Sequence, residues 1–385
     1  MKDFNKKIYI LIVLIILFVP ALLIPVFKNI NENDIYKFDK RYATTLIDVY
    51  NSAEKPITFE SWFSDHLSFR KNMISIWATL NHKISVSCRP HYIVVGKNNW
   101  LFFGNQYENA IDKYRNIFDF EERDLDSYLS RLLSLDNYLT NKDIPFLFVV
   151  APDKESMYSE HLPSWVTVSD SSNYTEALFK KSGDFINSHK VLNLAPIISS
   201  KKAEYGDDLY YKSDGHWSTL GAYFGYEGIM DNLIFNSGYE LEKVKFFGYE
   251  KEDFDNYSLQ KTLGMAGRYN DFKTNVNFSP QTQIEEKYLE EEKTWQNLQL
   301  YENKNALNNK SILIIRDSYS NAMKPYFYNT FEKTYVIHYE KAFLSDGDAS
   351  NFYSILDEYE PHMVVLQVVE RRLFMFSSRL PKEFK

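Results

Sequence analysis

Three residues in two short segments have the types and spacing needed for acyl-transfer chemistry. Asp214 and His216 are separated by one glycine, and Ser318 comes about a hundred residues later, directly after the apolar run 311–315. In an extended segment residues i and i+2 point to the same side, so the Asp214 carboxylate can reach one imidazole nitrogen and leave the other free as a base. A serine beside that base can act as a nucleophile. The three residues predict a Ser-His-Asp triad.

The elements around these residues predict an α/β fold. Apolar runs typical of buried strands lie at 144–152, 191–194, 311–315, 334–338 and 362–369, and helical periodicity covers 120–142 and 175–188. Buried strands that alternate with helices indicate a mostly parallel sheet flanked by helices. Ser318 would then lie at the carboxyl end of a strand and the start of a helix, where backbone N–H groups can hold an oxyanion.

The rest of the chain predicts a helical segment, a hairpin and an insertion. Residues 31–81 have the spacing of a long amphipathic helix or a helix pair, and 91–104 has two apolar runs around a Gly-Lys-Asn-Asn turn. Between about 239 and 309 the chain is charged and irregular. We therefore divide the chain into an N-terminal anchor at 1–28, a helical lead-in at 29–90 and an α/β domain at 91–385 that carries an irregular insertion at about 239–309.

Residues 8–27 predict a membrane anchor. The segment contains twenty residues without a charge, which is the length that crosses about 30 Å of hydrocarbon. Lys2, Lys6 and Lys7 precede it, so we expect the N-terminus in the cytoplasm and the remainder on the extracytoplasmic side of the cell membrane. Because no small-residue cleavage site follows, an uncleaved single-pass anchor is favoured over a removed signal peptide.

Composition excludes several classes of protein. The 385 residues include 44 Lys and Arg against 52 Asp and Glu, a net charge of -8, and no basic block, which argues against nucleic-acid binding. Cys88 is the one cysteine, so neither an intramolecular disulfide nor a cysteine-only zinc cluster can form. Asp214 and His216 supply only two metal ligands. We therefore predict no metal and no cofactor.

Each candidate residue also has an ordinary structural interpretation. Ser318 alone fits a helix N-cap, His216 a buried core histidine, and Asp214 a turn residue beside Gly215. Trp100 and Trp217 fit sugar stacking and core packing equally well. It is the combination of Asp214, His216 and Ser318 that favours catalysis.

Two motifs resemble those of a known family. The segments "SDGHWSTLGA" (213–222) and "RDSYS" (316–320) resemble motifs of the SGNH-hydrolase-like proteins of the alginate O-acetyltransferase family, especially its membrane-anchored DHHW-type members. Further pieces fit in the same order, namely "FSDHLSFR" (63–70), "GKNNWLFFG" (96–104), "VVAPDKESMYSEHLP" (149–163) and "VVLQVVERR" (364–372). The resemblance covers nearly the whole chain from about residue 59.

The resemblance implies a fold, an activity and partners. It implies an SGNH-hydrolase-like fold, with Asp214, His216 and Ser318 as the catalytic triad. It further implies an extracellular O-acetyltransferase that modifies a polysaccharide through an acetyl-serine, beside a multi-span membrane O-acyltransferase that supplies acetyl groups. The alternatives are a non-catalytic polysaccharide-binding or assembly component, and an acetyl esterase.

The chain also departs from the family pattern. Arg316 stands where a glycine is expected, and Gly215 stands where the DHHW motif has its first histidine. No residues match the glycine and asparagine that donate to the oxyanion, which leaves the Ser318 N–H, with Asn321 as a weak further candidate. We predict substrate contacts for Trp217, Arg316 and Asn321. Lys154 and Arg70 also match family positions and are interpreted as members of structural ion pairs.

Overall fold

The computed structural model describes residues 44–52, 54–66, 70–83, 87, 89–171, 173–254, 257–265, 270–289, 293–344 and 347–385. Within these ranges no helix is both long enough and apolar enough to cross a membrane. The predicted anchor at 8–27 lies outside them, as does the Arg70 side chain.

Three helices form the described part of the lead-in, where the sequence predicted one helix or a pair. They are α1 (Leu46–Asn51), α2 (Lys55–His66) and α3 (Arg70–Lys83). A capping box starts α1, because the Thr45 hydroxyl accepts from the Asp48 N–H and the Asp48 carboxylate accepts from the Thr45 N–H.

The predicted hairpin is confirmed. Strands β1 (Ile93–Val95) and β2 (Leu101–Phe103) pair antiparallel, with Val95 opposite Leu101. The turn between them places Asn98 and Asn99 at φ of 54° and 64°. Asparagine tolerates this left-handed region better than most residues, which suits the tight turn.

The α/β domain alternates helices and strands as the periodicity predicted. In chain order its main elements are α4 (Ala110–Tyr114), α5 (Glu122–Thr140), β3 (Phe146–Ala151), α6 (Lys154–Met157), α7 (Tyr174–Ser182), β4 (Val191–Asn193), α8 (Ala195–Tyr205), α9 (Thr219–Asn236), β5 (Lys245–Phe254), α10 (Ser258–Leu263), β6 (Asp271–Ser279), β7 (Lys287–Tyr288), β8 (Gln299–Glu302), β9 (Asn308–Arg316), α11 (Lys324–Thr330), β10 (Phe331–His338), α12 (Tyr339–Ala342), α13 (Ser350–Tyr359), β11 (Met363–Val369) and α14 (Leu373–Ser377). Short 3-10 helices occur at Ser159–His161, Ser188–Lys190, Gly206–Leu209, Ser318–Met323 and Glu370–Arg372.

Within the described residues the central sheet has seven strands, in the order β4-β3-β11-β9-β10-β8-β7. Neighbours from β4 to β10 pair in parallel, whereas β8 pairs antiparallel with β10 and with β7. The sheet is therefore mixed, which corrects the prediction of a mostly parallel sheet. The antiparallel strands come from 239–309, where the sequence shows no clear period, and that stretch also forms the separate hairpin of β5 and β6.

Apolar side chains cover both faces of the sheet. In β9, Ile312 and Ile314 join the core on one face, and Leu313 and Ile315 join the core on the other. Every residue of β11 is buried. Strands that are buried on both faces give the continuous apolar runs by which the sequence revealed them.

Candidate active site

Asp214, His216 and Ser318 lie together in one hydrogen-bonded chain. His216 Nδ1 lies 2.6 Å from Asp214 Oδ1, and His216 Nε2 lies 2.8 Å from the Ser318 hydroxyl oxygen. Both distances are those of ordinary hydrogen bonds. A ring that donates its Nδ1 proton to the carboxylate leaves Nε2 free to accept the serine proton.

A local turn brings the first two residues together. The His216 N–H donates to Asp214 Oδ1 at 3.0 Å, as in an Asx turn. An antiparallel bridge between Tyr210 and Trp217 closes the loop behind them. The contact that the spacing predicted is present, but the extended backbone that we inferred for it is wrong.

The Phe103 ring occupies the space that a side chain at position 215 would need. A Cβ placed on Gly215 would lie 2.0 Å from that ring, far inside van der Waals contact. Phe103 is itself packed beneath the Arg371 guanidinium, 4.6 Å from the ring centroid. A histidine at position 215, as in the DHHW motif, would therefore collide with the Phe103 ring.

Strand β9 places Ser318 at the carboxyl edge of the sheet. The Asp317 carboxylate accepts from the Tyr319 N–H at 2.9 Å and from the Val369 N–H, at the end of β11, at 2.6 Å. The 3-10 helix Ser318–Met323 begins at the serine itself. Asp317 thus fixes the backbone around Ser318 relative to the neighbouring strand.

Trp217 and Tyr319 connect two segments of the site. The histidine loop, residues 210–217, carries Asp214 and His216, and the serine segment, residues 316–320, carries Ser318. Trp217 Nε1 donates to the Tyr319 carbonyl at 2.9 Å, and the Tyr319 hydroxyl donates to the Gly215 carbonyl at 2.7 Å. Both side chains are buried in the core. Burial of Trp217 does not fit the predicted substrate contact, because its indole holds the two segments together instead.

The other two predicted substrate contacts differ in exposure. Arg316 is fully buried, and its Nη2 donates to the Trp295 carbonyl at 2.8 Å. Burial lowers the pKa of Arg316 to about 10, which leaves the guanidinium charged at neutral pH. A buried guanidinium does not fit the predicted direct contact with substrate. Asn321 is exposed, and its contact stays a prediction.

Ser258 belongs to the site and was missed by sequence analysis. Its hydroxyl donates to Asp214 Oδ2 at 2.7 Å, and its N–H lies 3.3 Å from the same oxygen. Ser258 begins α10 within the stretch 239–309, where no motif marks it. The two Asp214 oxygens therefore have separate partners, His216 on one and Ser258 on the other.

The Lys154 side chain holds the backbone of the histidine loop in place. Its ammonium donates to the carbonyls of Tyr211 and Lys212, each at 3.2 Å, and to that of Asp214. The side chain is fully buried, and burial lowers its pKa to about 8. These contacts correct the interpretation of Lys154 as one half of an ion pair, because its direct partners are backbone carbonyls.

The Asp214 carboxyl is held in its charged form. Burial by itself raises its pKa, but the charge and hydrogen bond of His216, the hydroxyl of Ser258 and the charge of Lys154 together hold the pKa well below its usual value. A negative Asp214 stabilises an imidazolium at His216.

The described part of the chain shows no metal-binding cluster. In it, no three His, Cys, Asp or Glu side chains lie close enough to hold an ion together. Asp214, His216 and Ser318 are hydrogen-bonded to one another.

Comparison with known proteins identifies the family. The profile described as "SGNH hydrolase-like domain, acetyltransferase AlgX" matches residues 93–331. This segment is more than half of the chain and contains Asp214, His216 and Ser318. The chain belongs to this family. Membership in the AlgX-type family confirms the resemblance inferred from the motifs.

Curated relatives of this AlgX-type chain include two proteins described as probable alginate O-acetylase AlgJ. The protein of Pseudomonas aeruginosa is 22% identical over 165 residues, and that of Azotobacter vinelandii is 19% identical over 166 residues. Each alignment covers 43% of this chain, but only 38% and 39% of the respective relative. The chain therefore matches about two fifths of the length of these relatives.

Solved structures show the same fold. Bacillus cereus PatB1 with a sulfonyl adduct has a TM-score of 0.52 at 17% identity, covering 74% of this chain and 99% of that one. A DHHW family protein from Eubacterium siraeum has a TM-score of 0.50 at 14% identity, covering 76% and 100%. With the family profile, these likenesses establish an SGNH-hydrolase-like α/β fold.

Proposed function

We propose that the chain is a serine-dependent O-acetyltransferase that places acetyl groups on hydroxyls of a polysaccharide. The observation that carries the proposal is the hydrogen-bonded chain from Ser318 through His216 to Asp214, with distances of 2.8 and 2.6 Å. Membership in the AlgX-type family supports acetyl transfer, and the names of the AlgJ relatives support a polysaccharide acceptor.

In the first half-reaction Ser318 takes the acetyl group from a donor. Its oxygen attacks the acetyl carbonyl while His216 Nε2 accepts the hydroxyl proton, and Asp214 stabilises the imidazolium that results. The Ser318 N–H, at the start of its 3-10 helix, is the candidate donor to the oxyanion. Collapse of the tetrahedral intermediate leaves an acetyl-serine, and the leaving group takes the proton from His216.

In the second half-reaction a sugar hydroxyl attacks the acetyl-serine. His216 accepts the hydroxyl proton and returns it to the Ser318 oxygen as the ester bond to the enzyme breaks. The acetyl group leaves on the sugar, and the enzyme returns to its starting state. Neither half-reaction requires a metal or a soluble cofactor.

Hydrolysis of the acetyl-serine is the second candidate activity. The His216 side chain keeps 34% of its surface exposed, so water reaches the general base when no sugar covers it. Water would then accept the acetyl group and the enzyme would act as an acetyl esterase.

The non-catalytic alternative rested on Arg316, which contacts Trp295 and leaves the pairing of Ser318 with His216 intact.

The cellular setting belongs to the same proposal. The uncharged segment at 8–27 and the lysines before it support a single-pass anchor with the catalytic domain on the extracytoplasmic side. In that position the acetyl supply would come from a multi-span membrane O-acyltransferase, as the family resemblance suggests.

The proposal is tested by acetyl transfer in solution. The full chain in detergent is given an activated acetyl ester and a deacetylated oligosaccharide, and acetylated sugar is measured by mass spectrometry. We expect transfer by the wild type and none by Ser318→Ala. Ser320→Ala is the matched control, because Ser320 lies in the same segment but donates to Gln367. Transfer by a folded Ser318→Ala protein would contradict the proposal.

A further inference from the structure

Trp295 combines an exposed ring with a fixed backbone. The residue is 43% exposed. Its carbonyl accepts hydrogen bonds from Arg316 Nη2 at 2.8 Å and from Gln299 Nε2 at 3.2 Å. The Arg316 guanidinium lies 5.0 Å from the ring centroid, and the His338 ring meets the indole edge-on at 5.1 Å. An aromatic side chain anchored in this way loses little further freedom when it binds a ligand.

The contacts of Trp295 place it at the carboxyl edge of the central sheet. Arg316 ends β9 and His338 ends β10, while Gln299 begins β8 beside the end of β10. The His338 N–H also donates to the Gln296 carbonyl at 3.0 Å. Three strands therefore hold this loop at the edge where α/β proteins bind their ligands.

Ser318 lies between Trp295 and the histidine loop. β9 lies between β11, next to β3, and β10. Lys154, just past β3, holds the histidine loop on one side, and Arg316 holds Trp295 on the side of β10. Because Arg316 Nη1 lies 3.4 Å from the Asp317 carbonyl, the indole centroid is at most about 13 Å from the Ser318 Cα. A short oligosaccharide spans that distance.

Arg316 has few interactions besides those with this loop and the adjacent backbone. In the described part of the chain no carboxylate forms an ion pair with it, and its hydrogen bonds go to the carbonyls of Trp295 and Asp317. A charge buried without an ion pair costs free energy. In this chain the buried guanidinium connects Trp295 to the serine segment, at a position where the family pattern has glycine.

We propose that Trp295 is a stacking platform for a pyranose ring of the acceptor polysaccharide, and that Arg316 is the positioning residue that holds it. The proposal rests on the proposed acetyl transfer and adds a binding subsite to it. Sugar rings present C–H faces that pack on an indole, while their hydroxyls stay hydrated or hydrogen-bonded. A ring stacked on Trp295 directs a neighbouring sugar unit towards Ser318 and excludes water from His216.

The test compares transfer with hydrolysis in the same protein. The full chain in detergent is supplied with an activated acetyl ester and with deacetylated alginate, cellulose-type and chitin-type oligosaccharides in turn. The ratio of acetylated sugar to free acetate should fall roughly tenfold in Trp295→Ala and Trp295→Leu, and much less in Trp295→Phe, which keeps a ring. Trp165→Ala is the matched control, because Trp165 is also exposed, at 59%, and should keep the wild-type ratio.

The outcomes distinguish failure of the subsite from failure of the proposed acetyl transfer. A folded Trp295→Leu protein with the wild-type ratio would overturn the subsite while leaving acetyl transfer in place, even if Trp295→Ala failed to fold. Hydrolysis by the wild type without transfer to any of the three sugars would overturn the transferase proposal, and the subsite with it. A loss of the same size in Trp165→Ala would overturn the specific role of Trp295.

Discussion

Lys154→Met should lower both the catalytic rate and the stability of the protein. Methionine keeps most of the length of the side chain but removes the charge and the three hydrogen bonds to the carbonyls of Tyr211, Lys212 and Asp214. At roughly 1.5–3 kcal/mol for each hydrogen bond that involves a charged group, those three bonds contribute about 4.5–9 kcal/mol. The fall in the pKa of Lys154 from 10.5 to about 8 means that its buried charge costs about 3 kcal/mol, which methionine does not carry.

Because the cost of the buried charge offsets only part of that contribution, the free energy of unfolding should fall by about 2–6 kcal/mol. Catalysis has no such compensation, because the loop that carries Asp214 and His216 loses the three hydrogen bonds that hold its backbone. A displacement of about 1 Å in a catalytic group costs roughly a hundredfold in rate. We therefore expect kcat for a small acetyl ester to fall about a hundredfold in Lys154→Met.

The assay measures ester turnover and the melting temperature of the same samples. The matched control is Lys202→Met, because Lys202 donates to the Met157 carbonyl and to Glu160 without touching the histidine loop. The pH profile adds a second readout. Lys154 loses its proton as the pH rises past about 8, so the wild type should lose activity there and Lys154→Met should not share that step. A folded Lys154→Met protein with kcat within threefold of the wild type would refute this reasoning.

Further predictions concern the residues around His216. Asp214→Asn should lower kcat about a thousandfold or more, because an amide no longer fixes the imidazole tautomer, and circular dichroism should show an unchanged fold. The folded pKa of Asp214 lies below its unfolded value of about 3.9, so its stabilising contribution is present above about pH 4 and is lost as the pH falls through the folded value. Urea unfolding between pH 6 and pH 3 should therefore show a steeper loss of stability in the wild type than in Asp214→Asn. Gly215→Ala should lower the melting temperature and kcat through its collision with the Phe103 ring, and Phe103→Leu in the same chain should restore part of both. A single Gly215→Ala variant with wild-type values would contradict that packing argument.

Elements with a strong periodic signal could be predicted from the sequence. Strands β3, β9, β10 and β11 are apolar along their length because they are buried on both faces, and α5 has a clear apolar stripe. The short strands β7 and β8 carry no such signal, since only two and four residues enter the sheet. Their pairing depends on tertiary contacts with β10, which a local pattern does not encode.

The candidate site, like the fold, was only partly predictable from the sequence. Asp214 and His216 are close in sequence, and Ser318 stands at a strand end, so their types and positions suggested the triad. Ser258 and Lys154 reach the site from distant segments and act through one hydroxyl and one ammonium, for which spacing gives no signal. Trp217 was misassigned because an indole beside a catalytic histidine fits both a sugar platform and a core residue, and only its burial decides between them.

The central claim is that Ser318 carries the acetyl group during turnover. The most direct measurement is the intact mass of the full chain after brief incubation with an activated acetyl ester, followed by peptide mapping, for the wild type, Ser318→Ala and His216→Ala. The account predicts one added acetyl group on the wild type, located on Ser318, none on Ser318→Ala, and far slower labelling of His216→Ala. An acetyl group on another residue at the same rate in all three proteins, or ester turnover that survives in folded Ser318→Ala, would contradict it.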